Sequence, residues 1–255
     1  MNINLAVELA LNYRSPSQKI RVISESWVNS QIYCPACGCS IEKYENNKPV
    51  ADFYCARCKE EFELKSKKDK IGSRIVDGAY QTTINRLKSN SNPNFFLLNY
   101  SRQSFGVINF FVVPKHFFTL DIIEKRKPLS MHAMRAGWVG CNIIFQRIPN
   151  MGKIFYIKDK HAEKKKDVLK NWNKTLFLRD EKEITTKGWI LDIMNCIDKI
   201  EKNVFCLDDL YGFESFLQQK HPANKHIKDK IRQQLQFLRD KGYLEFTGQG
   251  RYRLI

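Results

Sequence analysis

The sequence has 255 residues, of which 43% are hydrophobic and 27% charged, a composition typical of folded domains and not of disordered chains. It carries 43 Lys and Arg against 27 Asp and Glu, a formal net charge of +16. No run of about 18 uncharged apolar residues exists, so a transmembrane helix is not expected. At about 100–200 residues per domain, the length predicts one large domain or two smaller ones.

The positive charge is concentrated in the first part of the chain. Residues 1–180 hold 30 basic and 16 acidic side chains, a net charge of +14, whereas residues 181–255 hold 13 and 11, a net charge of +2. Such a basic segment predicts a polyanionic partner, and nucleic acid is favoured because no basic amphipathic membrane helix is present. A basic surface that only keeps the protein soluble is the alternative.

Residues 1–30 show helical spacing of apolar side chains on either side of a break at Ser15-Pro16-Ser17. The apolar residues concerned are Leu5, Leu9, Ile23 and Trp27. The segment Met1–Leu11 is apolar, but it has no Lys or Arg and includes Glu8. We therefore expect no signal peptide and predict a cytoplasmic protein.

Two pairs of cysteines follow, Cys34/Cys37 and Cys55/Cys58, separated by 17 residues. In a cytoplasmic chain with eight cysteines, metal ligation is favoured over disulfides, and two C-x-x-C turns can close a tetrahedral shell of four thiolates around Zn²⁺. Four thiolates leave no position for water, so the zinc is predicted to be structural. Cys39 competes with Cys37, but only Cys37 reproduces the two-residue gap. The alternative is four unrelated buried cysteines.

A possible catalytic group overlaps the second cysteine pair. Asp52 is followed after ten residues by Glu63-Leu64-Lys65, and on a strand Glu63 and Lys65 point to the same face. If Asp52 lies on a neighbouring strand, two carboxylates can bind a divalent cation beside an ammonium. That is the equipment for Mg²⁺-assisted phosphodiester hydrolysis, in which Lys65 would orient the attacking water or neutralise charge on the phosphate. Solvated Glu–Lys alternation on an edge strand is the alternative.

The middle of the chain predicts a helix over residues 77–89, with Asp77 as its N-cap, followed by several strands. The strands have nearly uninterrupted apolar runs, as expected when both faces are buried. They are Phe95–Tyr100, Val107–Val113, Trp138–Phe145 and Lys153–Ile157.

Trp138 stands among small residues shortly after Arg135, a pattern that suits an exposed loop facing a DNA groove. An aromatic ring in such a loop can offer apolar surface to a DNA groove. A core tryptophan that begins a strand is the alternative.

Residues 181–255 predict three helices and a short hairpin, the order of elements in a winged helix. The first helix is capped by Thr185 or Thr186, and the second has apolar residues from Leu207 to Leu217 and ends at His221-Pro222. The third is capped by Asn224, and its polar face has side chains that match base edges in the major groove. These are Lys225, Lys228, Arg232, Gln233 and Gln236. We predict a domain boundary near residue 180; a winged helix that binds only proteins is the alternative.

The Asp52, Glu63 and Lys65 arrangement resembles the PD-(D/E)xK nuclease motif, and nearly the whole chain resembles the DpnI family of methylation-dependent restriction endonucleases. The similar segments are the Cys34–Cys58 knuckle, Asp52–Cys55, Glu61–Lys68, Arg135–Trp138 and Asn224–Asp240. The resemblance implies that Asp52, Glu63 and the Leu64 carbonyl hold Mg²⁺, that Lys65 is the catalytic lysine and that Trp138 senses the methyl group. Ala51 replaces the proline of the motif name, a position that has no chemical role.

Together these features predict an α/β (α+β) PD-(D/E)xK core with a four-cysteine zinc knuckle over residues 1–180 and a winged helix over residues 181–255. The resemblance further implies the function of a bacterial type II restriction endonuclease, which cuts double-stranded DNA at GATC sites carrying N6-methyladenine and uses catalytic Mg²⁺ and structural Zn²⁺. Methylation of adenine at N6 places an apolar group in the major groove, and a protein can favour it only by burying the methyl against aromatic or aliphatic surface such as that of Trp138. A non-catalytic zinc and winged-helix DNA-binding regulator is the main alternative. An RNA-processing nuclease is less favoured, because a helix that reads the major groove suits B-form DNA.

Overall fold

The structure is a computed structural model that describes residues 1–45, 51–89, 91–181 and 183–255. The chain divides into two compact units, the first consisting of Met1–Gln146 with Met151–Thr175 and the second of Arg147–Asn150 with Leu176–Ile255. Within the described ranges, no helix has both the length and the apolar character needed to cross a membrane.

The first unit is a mixed α/β structure, as the sequence predicts. Its helices and strands in chain order are α1 (Pro16–Gln31), β1 (Glu42–Lys43), β2 (Phe53–Tyr54), β3 (Glu61–Lys68), β4 (Arg74–Ala79), α2 (Tyr80–Lys88), β5 (Asn94–Tyr100), β6 (Val107–Val113), β7 (Ile123–Lys125), β8 (Gly140–Ile144), β9 (Ile154–Lys158), β10 (His161–Ala162) and α3 (Lys165–Lys174). The larger sheet has the order β1-β2-β3-β5-β6-β9-β10, and a smaller sheet has the order β4-β8-β7. Strands β3 and β5 run parallel because β4 and α2 form the connection between them.

Aromatic side chains fill the centre of the larger sheet. Phe62 on β3 stacks on Phe96 on β5 with 4.4 Å between ring centroids, and Phe96 lies 5.1 Å from Phe110 on β6. Trp27 of α1 meets Phe110 edge-on at 5.2 Å, so α1 packs against this sheet. These contacts fix strand β3, whose other face carries the candidate site.

The four strands predicted from apolar runs are present, with ends that differ by a few residues. Val107–Val113 is β6 without change, and all seven residues of β5 are buried, as expected for a central strand. Strand β8 is shorter than predicted because Trp138 leaves the sheet: its carbonyl accepts a hydrogen bond from the Leu129 N–H at 2.9 Å.

Two predictions for the first unit are wrong. The segment before Ser15 has only a short 3₁₀ turn, Val7–Ala10, and Leu9 is 48% exposed instead of buried. The helix predicted over residues 77–89 begins at Tyr80, and Asp77 lies within β4 and is not an N-cap. The β-branched pair Ile75-Val76 extends the strand, which pairs with β8.

The second unit holds a set of helices followed by a hairpin. Its elements are α4 (Phe177–Asp180), α5 (Ile184–Ile200), β11 (Val204–Cys206), α6 (Leu207–Tyr211), α7 (Glu214–Lys220), α8 (Ile227–Asp240), β12 (Leu244–Gly248) and β13 (Arg251–Leu254). The three strands form a sheet in the order β11-β13-β12. Apolar residues of α5 and α8 that have helical spacing are buried: Ile190, Ile193, Met194, Ile197, Ile231, Leu235 and Leu238.

The observed helix caps of this unit lie two or three residues from the predicted ones. The N-cap of α5 is Glu183, whose carboxylate accepts a hydrogen bond at 2.6 Å from the Thr186 hydroxyl, so neither Thr185 nor Thr186 is the cap. The N-cap of α8 is His226, and the backbone N–H of His226 donates a hydrogen bond to the Asn224 side-chain oxygen at 2.8 Å. Asn224 therefore stabilises the turn before α8 and does not cap the helix itself.

The second helix predicted in this unit is divided into α6 and α7. The division falls at Gly212 and Phe213, between the two helices. Because α7 starts a new helix axis, Phe216 is 41% exposed, although uninterrupted helical spacing would bury it.

Candidate active site and metal centre

Pairing of β2 with β3 brings Asp52 to the segment that contains Glu63 and Lys65. Phe53 lies opposite Phe62 in this antiparallel pair, and the Asp52 N–H donates to the Phe62 carbonyl at 2.9 Å. The Asp52 carboxylate then accepts a hydrogen bond from the Leu64 N–H at 2.7 Å. The side chain of Asp52 is thus held against β3 by the backbone of the residue between Glu63 and Lys65.

Glu63 and Lys65 share one face of β3, as the two-residue period predicts. The Lys65 ammonium lies 2.5 Å from a Glu63 carboxylate oxygen and 2.9 Å from a carboxylate oxygen of Asp77 on β4. Asp52, Glu63 and Lys65 line a single cavity together with Leu64. The structure therefore brings the four predicted residues together, and their catalytic roles stay predictions.

The buried carboxyl groups of this cavity favour a bound cation. Burial raises the pKa of the Asp52 carboxyl above its ordinary value and also raises the pKa of Glu63, because their charged forms lose contact with water. A bound cation would offset that loss. Burial lowers the pKa of Lys65, but attraction to Glu63 and Asp77 outweighs that effect, so the ammonium pKa is raised and the lysine stays charged. Carboxylate and carbonyl oxygens are the ligands that Mg²⁺ prefers, so the donor types that Asp52, Glu63 and Leu64 offer in this cavity suit magnesium.

Asp77 is a member of this site that the sequence analysis assigned to another role. In the structure it lines a cavity with Asp52, Glu63 and Ala51, and its side chain contacts Lys65. A strand assignment for residues 74–79, based on the β-branched residues before Asp77, would have removed the helix-cap interpretation and left an acidic residue to explain.

Glu25 on α1 is a second acidic residue that the sequence analysis missed. It is 5% exposed, it is paired with Arg21 at 2.6 Å and with Lys43 at 2.8 Å, and it lines the cavity that contains Asp52 and Lys65. An acidic residue on the buried side of a helix, close to Trp27, was the available signal.

The four predicted zinc ligands form one cluster. The Sγ atoms of Cys34, Cys37, Cys55 and Cys58 all lie within 4.8 Å of one another, with 3.4 Å between Cys34 and Cys58 and also between Cys37 and Cys55. Tetrahedral Zn–S bonds of about 2.3 Å require sulfur atoms about 3.8 Å apart, so the cluster fits a zinc ion. Cys39 lies outside it, as the spacing predicts.

The two cysteine turns have equivalent backbone conformations. The Gly38 N–H donates to the Cys34 carbonyl and the Lys59 N–H to the Cys55 carbonyl, both at 2.9 Å, and both donors have left-handed φ angles of 75° and 61°. Glycine adopts this left-handed conformation without strain at position 38, where a Cβ atom would also lie 3.0 Å from the Lys165 side chain, whereas the second turn uses Lys59 at the equivalent position. The second turn connects β2 to β3, and the zinc centre is therefore linked directly to the strands of the candidate active site.

The loop between β7 and β8 carries Arg135 and Trp138. Arg135 is exposed and Trp138 is half-buried, with its ring occupying the space that a side chain at Gly140 would fill. Trp138 is neither a core residue nor part of β8, which contradicts the interpretation as a core tryptophan that begins a strand. Its contact with a methyl group stays a prediction.

The polar residues selected near the start of α8 and along it are all exposed: Lys225, Lys228, Arg232, Gln233 and Gln236. Arg232 donates to the Tyr211 hydroxyl at 2.7 Å and is paired with Asp229, and Lys228 lies 3.5 Å from a Glu214 carboxylate oxygen. These cations must exchange protein partners for DNA if they bind it, and that role stays a prediction.

Comparison with known families gives two matches that together span nearly the whole chain. The model of DpnI, described as the Dam-replacing family, matches residues 1–181. The model of its C-terminal domain, described as the Dam-replacing HTH domain, matches residues 185–254. The second range contains α5, α8 and the hairpin, so the helix-turn-helix nature of this part of the chain is confirmed.

Proposed function

The chain belongs to the DpnI, or Dam-replacing, family, and from that premise we propose that it is a type II restriction endonuclease that cuts double-stranded DNA at GATC sites carrying N6-methyladenine. The proposal depends above all on the cavity that Asp52, Glu63, Leu64 and Lys65 line together. Two carboxylates and an ammonium in one cavity can hold a metal ion and act on a phosphodiester. Without a metal ion the carboxylates would repel the phosphate.

The proposed core is a PD-(D/E)xK nuclease in which Asp52, Glu63 and the Leu64 carbonyl hold Mg²⁺. When bound there, Mg²⁺ would polarise the scissile phosphate and lower the pKa of a water ligand. The Leu64 N–H keeps the Asp52 carboxylate in place through its 2.7 Å hydrogen bond. The Lys65 ammonium is charged and faces the same cavity, where it orients the attacking water or balances charge on the phosphate.

The zinc centre has a structural role in this proposal. Cys34, Cys37, Cys55 and Cys58 would hold Zn²⁺ and so fix the turn between β2 and β3. Because Asp52 lies three residues before Cys55, and Glu63 five residues after Cys58, a loss of order in this turn displaces both carboxylates.

Recognition of the methylated site is assigned to both units. The exposed face of α8 reads base edges in the major groove, and Trp138 near Arg135 buries the N6-methyl group at the catalytic unit. The net charge of +14 on residues 1–180 supports sequence-independent binding to the phosphates of the same duplex.

A non-catalytic DNA-binding regulator is the alternative, and one experiment separates the two. The full chain is incubated with plasmid methylated at adenine N6 in GATC, with unmethylated plasmid and with plasmid methylated only at other adenines, each with Mg²⁺ or EDTA. We expect the GATC fragment pattern only from the first plasmid with Mg²⁺. Binding to methylated GATC without cutting would support the regulator, and equal cutting of all three plasmids would contradict methyl dependence.

A further inference from the structure

The tip of the loop between β7 and β8 exposes two methionines. Met131 is 83% exposed, and Met134 is as exposed as in an extended chain. Among the large apolar side chains that the structure describes, these two are the most exposed. Two strongly exposed apolar side chains at one loop tip are a candidate surface for contact with a partner.

The loop is held in shape at its base, so the methionines are presented by an ordered element. The Leu129 N–H donates to the Trp138 carbonyl at 2.9 Å, and the Gly137 N–H donates to the Leu129 carbonyl at 3.1 Å. Below this pair, the Arg126 N–H donates to the Gly140 carbonyl at 3.0 Å. The hydrogen bonds close the loop like the end of a hairpin, with Met131 and Met134 beyond the closure.

The charge around the loop identifies the partner as a polyanion. From Lys125 to Lys158 the sequence has seven Lys and Arg and no Asp or Glu. Lys125, Arg126, Lys127 and Arg135 lie on the loop itself or next to it. Apolar tips with basic flanks fit duplex DNA, in which stacked bases lie between two rows of phosphates.

The loop is joined to the rim of the candidate active site. The Val139 carbonyl accepts a hydrogen bond from the Tyr80 N–H at 3.1 Å, and Gly140 pairs with Ala79 across the smaller sheet. Ala79 lines the cavity that contains Asp52 and Glu63. The base of the loop therefore adjoins the cavity that the target phosphate would enter.

We infer that Met131 and Met134 form an apolar wedge that inserts between base pairs of the target duplex and bends it. Methionine suits this role because its side chain is unbranched, flexible and apolar, and apolar side chains inserted between base steps bend DNA by about 20–90°. The inference deepens the proposed function, on which it rests: the wedge opens the duplex beside the cavity and so increases access of the target phosphate to Asp52 and Lys65.

The test uses the full chain and a methylated GATC duplex in Ca²⁺, with bending measured by energy transfer between dyes at the two ends. 2-Aminopurine at each position near the site reports which step is unstacked. The double variant Met131→Ala/Met134→Ala should lose most of the bend and the 2-aminopurine signal. The variant Met131→Leu/Met134→Leu should retain both, and Leu11→Ala, which removes an apolar side chain that is 75% exposed elsewhere, should leave them unchanged.

Cleavage in Mg²⁺ provides the second measurement. The double alanine variant should cut an intact methylated duplex about tenfold more slowly, the factor that about 1.4 kcal/mol produces, and a duplex already unstacked by a mismatch at the same step should restore the rate. An unchanged bend in the double alanine variant would overturn the wedge. If that variant also lost binding to anionic lipid vesicles, the methionines would be a membrane contact instead. Bending that depends on the methionines without any cutting would contradict the proposed function but support the wedge. Methyl-dependent cutting with an unchanged bend would support the proposed function but contradict the wedge.

Discussion

A carboxylate oxygen of Asp77 lies 2.9 Å from the Lys65 ammonium, so a strand of the smaller sheet holds the lysine of the larger one. Glu63, two residues before Lys65, contacts the same ammonium at 2.5 Å. If Glu63 binds a metal ion, Asp77 is the partner that keeps Lys65 charged and in place. Asp77 is therefore a positioning residue for the proposed reaction.

Asp77→Asn should slow cleavage of methylated GATC duplex by about tenfold to a hundredfold, since a hydrogen bond to a charged group contributes about 1.5–3 kcal/mol. Removal of this carboxylate lowers the pKa of Lys65, so the alkaline limit of activity should move to lower pH. Rates are measured over a pH series and DNA affinity by gel shift, with Asp69→Asn on an exposed site as the control. A slower reaction without any movement of the alkaline limit would indicate only a structural role for Asp77.

Asp52→Ala and Lys65→Ala should each abolish cleavage and leave binding to methylated duplex nearly intact. In the proposed function other residues contact the base edges and most phosphates, so loss of these side chains should remove chemistry and not recognition. The control is Lys68→Ala, which removes an exposed lysine from the same strand. Near wild-type cutting by Lys65→Ala would show that the active site has been assigned wrongly.

Asp52→Asn should make the metal-free protein more stable at about pH 7 but not at about pH 4. Burial raises the pKa of Asp52 in the folded state, and a group of this kind contributes stability at low pH that is lost as the pH rises through its folded-state pKa. Asparagine keeps the acceptor for the Leu64 N–H and has no charge to bury. Thermal unfolding with EDTA at both pH values measures the difference, and an equal effect at both would show that the charge of Asp52 is not the cause.

The four-cysteine cluster and the carboxylate–lysine strand could be predicted because their geometry is local. A C-x-x-C turn places two sulfur atoms together through its own backbone, and the two-residue period of a strand places Glu63 and Lys65 on one face. The pairing of β2 with β3 then follows from the turn between them. The spacing of these residues in the sequence is therefore enough to predict most of this part of the site.

Asp77 and Glu25 could not be assigned in the same way, because each reaches the cavity through distant packing. Asp77 faces Lys65 only because β4 pairs with β8 in a second sheet, and Glu25 lies at the cavity only because α1 packs on the sheet through Trp27. The predictions of the helix caps failed for a different reason. Ser, Thr, Asn and Asp near a helix start can form hydrogen bonds with several neighbouring backbone groups, and composition alone does not show which of these bonds forms.

Cys55→Ser should lower the melting temperature and the zinc content, which we expect to be about one ion per chain. Burial raises the pKa of Cys37 to about 11, so without a metal this thiol stays protonated, and zinc binding releases its proton. Cys39→Ser is the control, because Cys39 directly follows the first cysteine turn but lies outside the four-sulfur cluster. An active preparation without zinc and with a normal melting temperature would contradict a structural zinc.

The last prediction separates the two proposed readers of the methyl group. Arg232→Ala on α8 should weaken binding of the full chain to methylated GATC duplex by about 1–3 kcal/mol, because it removes a side chain that is proposed to read a base edge. Trp138→Ala should have a smaller effect on affinity but a larger one on discrimination in cleavage. A buried methyl group contributes on the order of 0.8 kcal/mol, so two methyl groups per palindrome correspond to about tenfold in the ratio of methylated to unmethylated cutting rates. Both variants are measured on matched methylated and unmethylated duplexes by gel shift and by cleavage. If Trp138→Ala weakened affinity while the ratio of cutting rates stayed that of the wild type, Trp138 would be a general DNA contact, and methyl sensing would have to be assigned to α8 alone.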